Sequence, residues 1–299
     1  MKLVDPIRYV GLKESRKLPS PKGLALAIVR LLQQDDYRLE DLTRLIQSDP
    51  VIAGELLRFS NAASYGHSSP IVSISKAVTT LGSLRIRVIV IAFSVINNNR
   101  RGICPHFDYE EFWSHALATA IAAQSLASLV KINIEEHFTA GLLCRLGELA
   151  LASIFPERYG EIILKSKSAP ARIDMERDAF GIDHRELNST LLMEWGLPLE
   201  LVTAIYHSEY PDKEEAEVGT RIKGITLSLH VALAFADYCV AEDAGEREIL
   251  LQNLYSKAAR IGINQEETDR MAAKTIASWQ EWGKFLKIHT REVKALGNS

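Results

Sequence analysis

Four side chains of the kind that gather a divalent ion, His115, His184, His207 and Asp237, lie in four stretches with helical patterning. Three imidazoles and a carboxylate suffice to hold one zinc or iron ion. Such an ion activates a water and steadies a phosphoryl oxygen. Each residue also has a purely structural use. His115 follows Trp113 on a helix and can sit in a core, and His184 follows Asp183, a natural N-cap, as a first-turn residue. His207 closes a helix, where an imidazolium is favoured by the helix dipole. Asp237 is harder to dismiss, because a carboxylate beside Ala234, Phe235 and Ala236 needs a partner once buried. Cys144 beside Arg145 has the pairing that activates a thiolate, but Leu142-Leu143 and Leu146-Gly147 around it read as packed helix, where cysteines are inert.

The elements that carry these residues are helical almost throughout. Leu24, Ala27, Ile28 and Leu31 form one stripe at i, i+3, i+4, i+7 spacing, and Leu42, Leu45 and Ile46 form another. Asp49-Pro50 starts a helix to about Ser60, with Leu56 and Leu57 inward. A short helix from Ser73 closes at Gly82, and an apolar one follows from Leu84 to about Asn97. The polar run from Asn97 to Gly102, followed by Pro105, marks a join between lobes. Beyond it the pattern predicts helices near 109–131, 135–154, 157–167, 171–180, 184–195, 198–208 and 219–241. The acidic segment 209–217 reads as an exposed loop, and 245–296 as two or three terminal helices. In the latter, Ile276, Trp279, Trp282 and Phe285 share a face fit for packing back on the lobe or for a dimer contact. The expected fold is all-α, an N-terminal helical lobe over 1–105, a second lobe over 106–242 and a helical extension over 243–299.

Composition narrows the function classes. With 47% hydrophobic and 24% charged residues the 299-residue chain is of ordinary globular make-up and able to bury a sizeable core. The longest apolar run, Val88 to Ile96, is far short of the roughly 20 residues a bilayer span needs. Asp5-Pro6 interrupts the N-terminus before an apolar leader can form, which gives a cytoplasmic expectation. Cys104, Cys144 and Cys239 make no paired motif and read as reduced, buried thiols. A net charge of -3 offers no general attraction to nucleic acid or to an anionic membrane, and neither partner is expected. Arg85, Arg87, Arg100 and Arg101 bracket an apolar helix and read as its solvated flanks, although 77–88 faintly resembles a helix-turn-helix.

In the first lobe, the run Leu45-Ile-Gln-Ser-Asp-Pro-Val-Ile-Ala-Gly-Glu-Leu-Leu-Arg-Phe-Ser-Asn-Ala-Ala-Ser-Tyr-Gly66, followed by Ile74, Ala77, Leu81 and Gly82, resembles the signature of the HDOD domain. This is the HD-related output domain, a branch of the HD superfamily of metal-dependent phosphohydrolases. The match continues through Trp113-Ser-His115, Ala140-Gly-Leu-Leu143, Leu146-Gly147, Phe180-Gly-Ile-Asp-His184, Trp195-Gly-Leu-Pro198 and Ile205-Tyr-His207, over about residues 18 to 240. The resemblance implies a His-Asp doublet at 144–145, and this chain has Cys-Arg there. A guanidinium in place of that carboxylate opposes a bound cation. If the fold is HD-like, Arg145 faces the same pocket as Asp237 and is expected to pair with it bidentately, standing in for the metal.

The resemblance further implies a vestigial pocket of His115, Cys144, Arg145, His184, His207 and Asp237, with no metal, no cofactor and no catalytic residue. It also implies a bacterial regulatory protein of signal transduction. HDOD proteins act as output or interaction modules, often beside receiver or cyclic-dinucleotide domains. This chain shows neither, so it is expected to act in trans, on a signalling protein or on a small phosphorylated ligand such as a nucleotide or phosphate. The competing expectation is a divergent phosphodiesterase with a partial site built from His115, His184, His207 and Asp237.

Overall fold

The computed structural model of the chain describes residues 1–15, 17–34, 36–61, 70–129, 134–166, 168–212 and 220–293. Fifteen helices and no strand are found among them, so the fold is all-α as expected. The helices belong to two compact units, residues 19–99 and residues 1–18 with 100–299.

The smaller unit contains α2 (Gly23–Leu31), α3 (Leu39–Gln47), α4 (Pro50–Ser60) and α5 (Ile74–Asn98). Asp49 opens α4 as anticipated, accepting from the backbone N–H groups of Val51 and Ile52, with Pro50 at the first helical position. Within α4 the buried positions are Leu56, Phe59 and Ser60, while Leu57 is only half-buried. Gly82 leaves helical geometry at φ 74°, and the two halves of α5 meet at 103°. The expected glycine-closed helix and its apolar successor are therefore both present.

Asn61 just after α4 accepts from the Ile71 N–H at 2.6 Å and donates to the Ile71 carbonyl at 2.7 Å, closing the ends of the intervening segment. The Tyr-Gly turn expected at 65–66 lies outside the described residues. The α2 stripe is corrected by one position: Ala25, Ile28, Val29 and Leu32 are buried, whereas Ala27 is exposed and Leu24 and Leu31 are half-buried. Both faces of α2 are apolar, so periodicity alone did not choose between them.

The larger unit contains α1 (Pro6–Glu14), α6 (Tyr109–Leu129), α7 (Ile134–Leu143), α8 (Leu146–Ile154), α9 (Pro156–Lys165), α10 (Ala169–Phe180), α11 (His184–Glu194), α12 (Leu199–His207), α13 (Thr220–Val240), α14 (Ala244–Ala259) and α15 (Gln265–Leu286). The division differs from the expected 1–105, 106–242 and 243–299 at both ends. The first residues join the larger unit because Val4 is buried, its N–H donates to Thr190, and Tyr9 donates to Glu194 at 2.5 Å.

At the other end α15 packs against α6, with Trp279 fully buried and its indole N–H donating 2.9 Å to the Ser114 carbonyl. Ile276 is buried on the same face, and Trp282 lies with its ring 6.3 Å from that of Phe138. The terminal helices thus cover their own unit through these residues; the Phe285 side chain lies outside the described set. Arg87 donates to the Leu32 carbonyl and Arg100 to the carbonyls of Leu286 and Lys287, so these two arginines hold backbone. Among the described residues no single helix is long and apolar enough to cross a membrane.

Candidate functional site

The expected continuous helix over 135–154 is in fact α7 and α8, broken at Cys144-Arg145, where Arg145 takes φ -113° and ψ 12°. Two close approaches fix this break. A Cβ on Gly141 would lie 2.7 Å from the Ala120 Cα and the Thr119 carbonyl, so α7 rests directly on α6. A Cβ on Gly147 would overlap the carbonyl of His184, so α8 rests directly on the start of α11. The Asn188 amide donates to the carbonyls of Leu143 (3.2 Å) and Cys144 (2.7 Å), supplying bonds that the broken helix cannot.

His184 is delivered to the same place by a helix stop and start. α10 ends at Gly181, and Asp183 caps α11 by accepting from Arg185 and Glu186. The spacing of glycines and capping residues in the family-like segments is therefore what brings the Arg145 turn against His184.

Around that contact lies a buried ionic layer. Arg145 donates through Nε and Nη2 to both oxygens of Glu148, at 2.7 and 2.8 Å, and Arg172 adds a third bond to Glu148 at 3.2 Å. The expected pairing of Arg145 with Asp237 is thus corrected. The break in the helix leaves Arg145 ahead of α8, one turn before Glu148, within reach of a nearer carboxylate. Burial alone would raise the Glu148 carboxyl, but the charges of Arg145 and Arg172 and the Arg145 hydrogen bonds hold it far below the usual carboxylate range. His184 donates from Nδ1 to Glu176 at 2.6 Å and from Nε2 to Glu209 at 2.9 Å, and its backbone N–H also donates to Glu176. Burial disfavours its charge, yet the two carboxylates win and raise its pKa well above 6.5. Both ring nitrogens therefore carry protons. Glu209 is correspondingly lowered, against the effect of burial, chiefly by His184.

His115 and Asp237 form a separate pair, with Nε2 donating to the carboxylate at 2.9 Å. His115 is 3% exposed, but the Asp237 side chain is 46% exposed. Burial first, then the positive charge of Arg145, push the His115 pKa down against the hydrogen bond to Asp237, so this imidazole is neutral. The carboxyl of Asp237, which burial would raise, is lowered by the His115 bond and by Arg145. Arg145 thus acts on Asp237 through its field and not through contact. Cys144 donates to the Gly141 carbonyl, and burial pushes its thiol up to about 12, which agrees with a packed, unreactive cysteine. Cys104 and Cys239 are buried free thiols as well. His207 is buried at the end of α12 with its ring edge-on to Tyr206, and from that region it is Glu209 that reaches His184.

Glu148, Arg172, Glu176 and Glu209 were not singled out in the sequence. Arg145 with Glu148 at i, i+3 and Arg172 with Glu176 at i, i+4 are signals that were available. Glu209, expected at the start of an exposed loop, is instead turned inward, its side chain 16% exposed.

HD phosphohydrolases imply a divalent ion, and one group of possible ligand atoms, on Glu148, His184 and Glu209, does lie within 4.8 Å of one another. The donor set does not fit an ion. Both oxygens of Glu148 already receive guanidinium bonds, and neither nitrogen of His184 offers a lone pair. A cation there would displace two arginines and a proton.

An all-α fold that packs the Arg145 turn against His184 defines the class. The chain belongs to the HDOD domain family, whose model matches residues 18–211. It is similar to the response regulator MmoQ of Methylococcus capsulatus str. Bath, with 33% identity, covering 86% of this chain and 98% of that one at a TM-score of 0.50. A protein of Shewanella amazonensis SB2B, provisionally named a phosphohydrolase, is 25% identical, with 92% and 97% of the two chains covered and a TM-score of 0.66. An uncharacterized protein of Treponema pallidum (strain Nichols) is 26% identical over 204 residues, and the match takes in 66% of this chain but only 39% of that protein's length.

Proposed function

We propose that this chain is a non-catalytic module of bacterial signal transduction that works by binding a protein partner. The observation that carries the reading is Arg145, held bidentately by Glu148 at the place where hydrolytic relatives carry the aspartate of their doublet. A guanidinium is always charged and is fixed here by a carboxylate one turn away, so the layer is internally neutralised without an ion. The names of similar proteins, a response regulator among them, agree with a signalling role. A small phosphorylated ligand draws less support, because Arg145, Arg172 and His184 each already face a carboxylate and His115 is neutral.

A divergent phosphohydrolase is the second reading. It is favoured by the nearness of Glu148, His184 and Glu209 and by the provisional name of the Shewanella protein. Elemental analysis of protein purified without chelator or metal-affinity resin separates the two. The regulatory reading expects folded, metal-free protein, and metal uptake in the Cys144→His, Arg145→Asp double variant. Stoichiometric transition metal in the wild type, together with phosphodiester hydrolysis, would overturn it.

A further inference from the structure

We infer that the groove between α2 and α3 of the smaller unit is a docking site for an acidic amphipathic helix of a partner protein; this deepens the binding role proposed above and rests on it. α2 has the sequence Gly-Leu-Ala-Leu-Ala-Ile-Val-Arg-Leu, with one charged residue in nine. A helix that is apolar all round is normally buried all round. Here only the Ala25, Ile28, Val29 and Leu32 face is buried, and α2 and α3 both pack on α5. The second apolar face is partly open, where exposed Ala27 and half-buried Leu31 join half-buried Leu45 of α3 to line a cleft of about 570 Å³. Apolar side chains from two helices flanking one groove accept a helix that presents side chains at i, i+3 or i+4, and i+7.

The rim selects the charge of the occupant. Arg30 and Arg44 border the groove, both exposed, and neither makes a side-chain hydrogen bond or ion pair among the described residues. Among the described residues, Asp41 is the single carboxylate lining the groove. Two unpaired guanidinium groups flanking an apolar floor suit glutamate or aspartate beside the apolar stripe of the incoming helix. A second copy is disfavoured, because the described lining carries two guanidinium groups to one carboxylate, and pairing this face with itself would bring together two surfaces of the same excess charge.

The test uses the full chain and fluorescently labelled 15-residue helical peptides, with leucines at the three anchoring positions. One set places glutamates at every flanking position in turn, and a matched set places lysines there. Fluorescence anisotropy should show binding of at least one glutamate peptide and of no lysine peptide. The Arg30→Glu, Arg44→Glu double variant should weaken that binding by about tenfold or more and transfer preference to lysine peptides. Leu31→Ser should weaken both interactions, with circular dichroism checking that each variant is folded. No binding in either set, equal binding of both, or indifference to the variants overturns the inference. So does a concentration-dependent dimer in sedimentation velocity that Leu31→Ser abolishes, which would assign the groove to a second copy. Phosphodiester hydrolysis is measured on the same samples: its appearance defeats the non-catalytic reading, whereas failed peptide binding without hydrolysis defeats only the groove.

Discussion

His184 and His115 are buried to nearly the same degree, at 1% and 3% exposure, yet their surroundings drive their pKa values in opposite directions. Around His184 two carboxylates meet both ring nitrogens, and the imidazolium becomes one cation in an ionic layer with Arg145, Arg172, Glu148, Glu176 and Glu209. Around His115 one carboxylate, half open to solvent, competes with burial and with the field of Arg145, and the ring stays neutral. Burial does not set the state of a histidine. The balance of nearby charge does, and Arg145 is one of the charges that lower His115.

The comparison breaks most readily at Glu148. Glu148→Ala leaves two guanidinium groups facing each other in a closed environment, and a loss of about 3–5 kcal/mol is expected in urea denaturation. A loss below about 1 kcal/mol would mean that solvent enters the layer freely. Gly147→Ala pushes a methyl group into the His184 carbonyl and should cost about 1–3 kcal/mol as α8 and α11 separate. Retained stability there would show that the layer does not depend on that close approach. Asp237→Asn is the matching change in the other region. With the carboxylate 46% exposed, screening limits the expected effect to about 1 kcal/mol or less.

The gentlest test substitutes nothing. Histidine C2–H shifts followed by NMR should show His184 still protonated well above pH 6.5 and His115 still neutral below it. In linkage terms, His184 contributes stability that is full below pH 6.5 and declines as pH climbs toward its raised folded value. The lowered Glu148 and Glu209 carboxyls contribute above pH 4.5 and lose that contribution as pH falls through their folded values. His115, lowered, subtracts stability on the acid side of pH 6.5. A His184 that titrates at or below 6.5 would contradict the ionic layer directly.

Most of the fold was legible because its signals are local. The Asp49-Pro50 cap, the Gly82 break, the Asp183 cap and most helix bounds follow from which side chain can satisfy a free amide and which residue tolerates a left-handed turn. Apolar periodicity failed where it was ambiguous, on α2 with two apolar faces, and across 135–154, where a continuous apolar pattern concealed a break. Of the candidate site, the family-like pattern put His115, Arg145 and Asp237 in one expected pocket; the pairing of Asp237 with His115, and of Arg145 with Glu148, came only from the structure.

By itself, then, the sequence determined an all-α chain of the HDOD family with a cation, Arg145, among its candidate site residues. Only the tertiary structure decided where that charge is neutralised. Arg145, Glu148, Arg172, Glu176, His184 and Glu209 come from three helices, α8, α10 and α11, and from the turns before α8 and after α12, and a neighbour relation among charges distant in the chain exists only once the helices have packed.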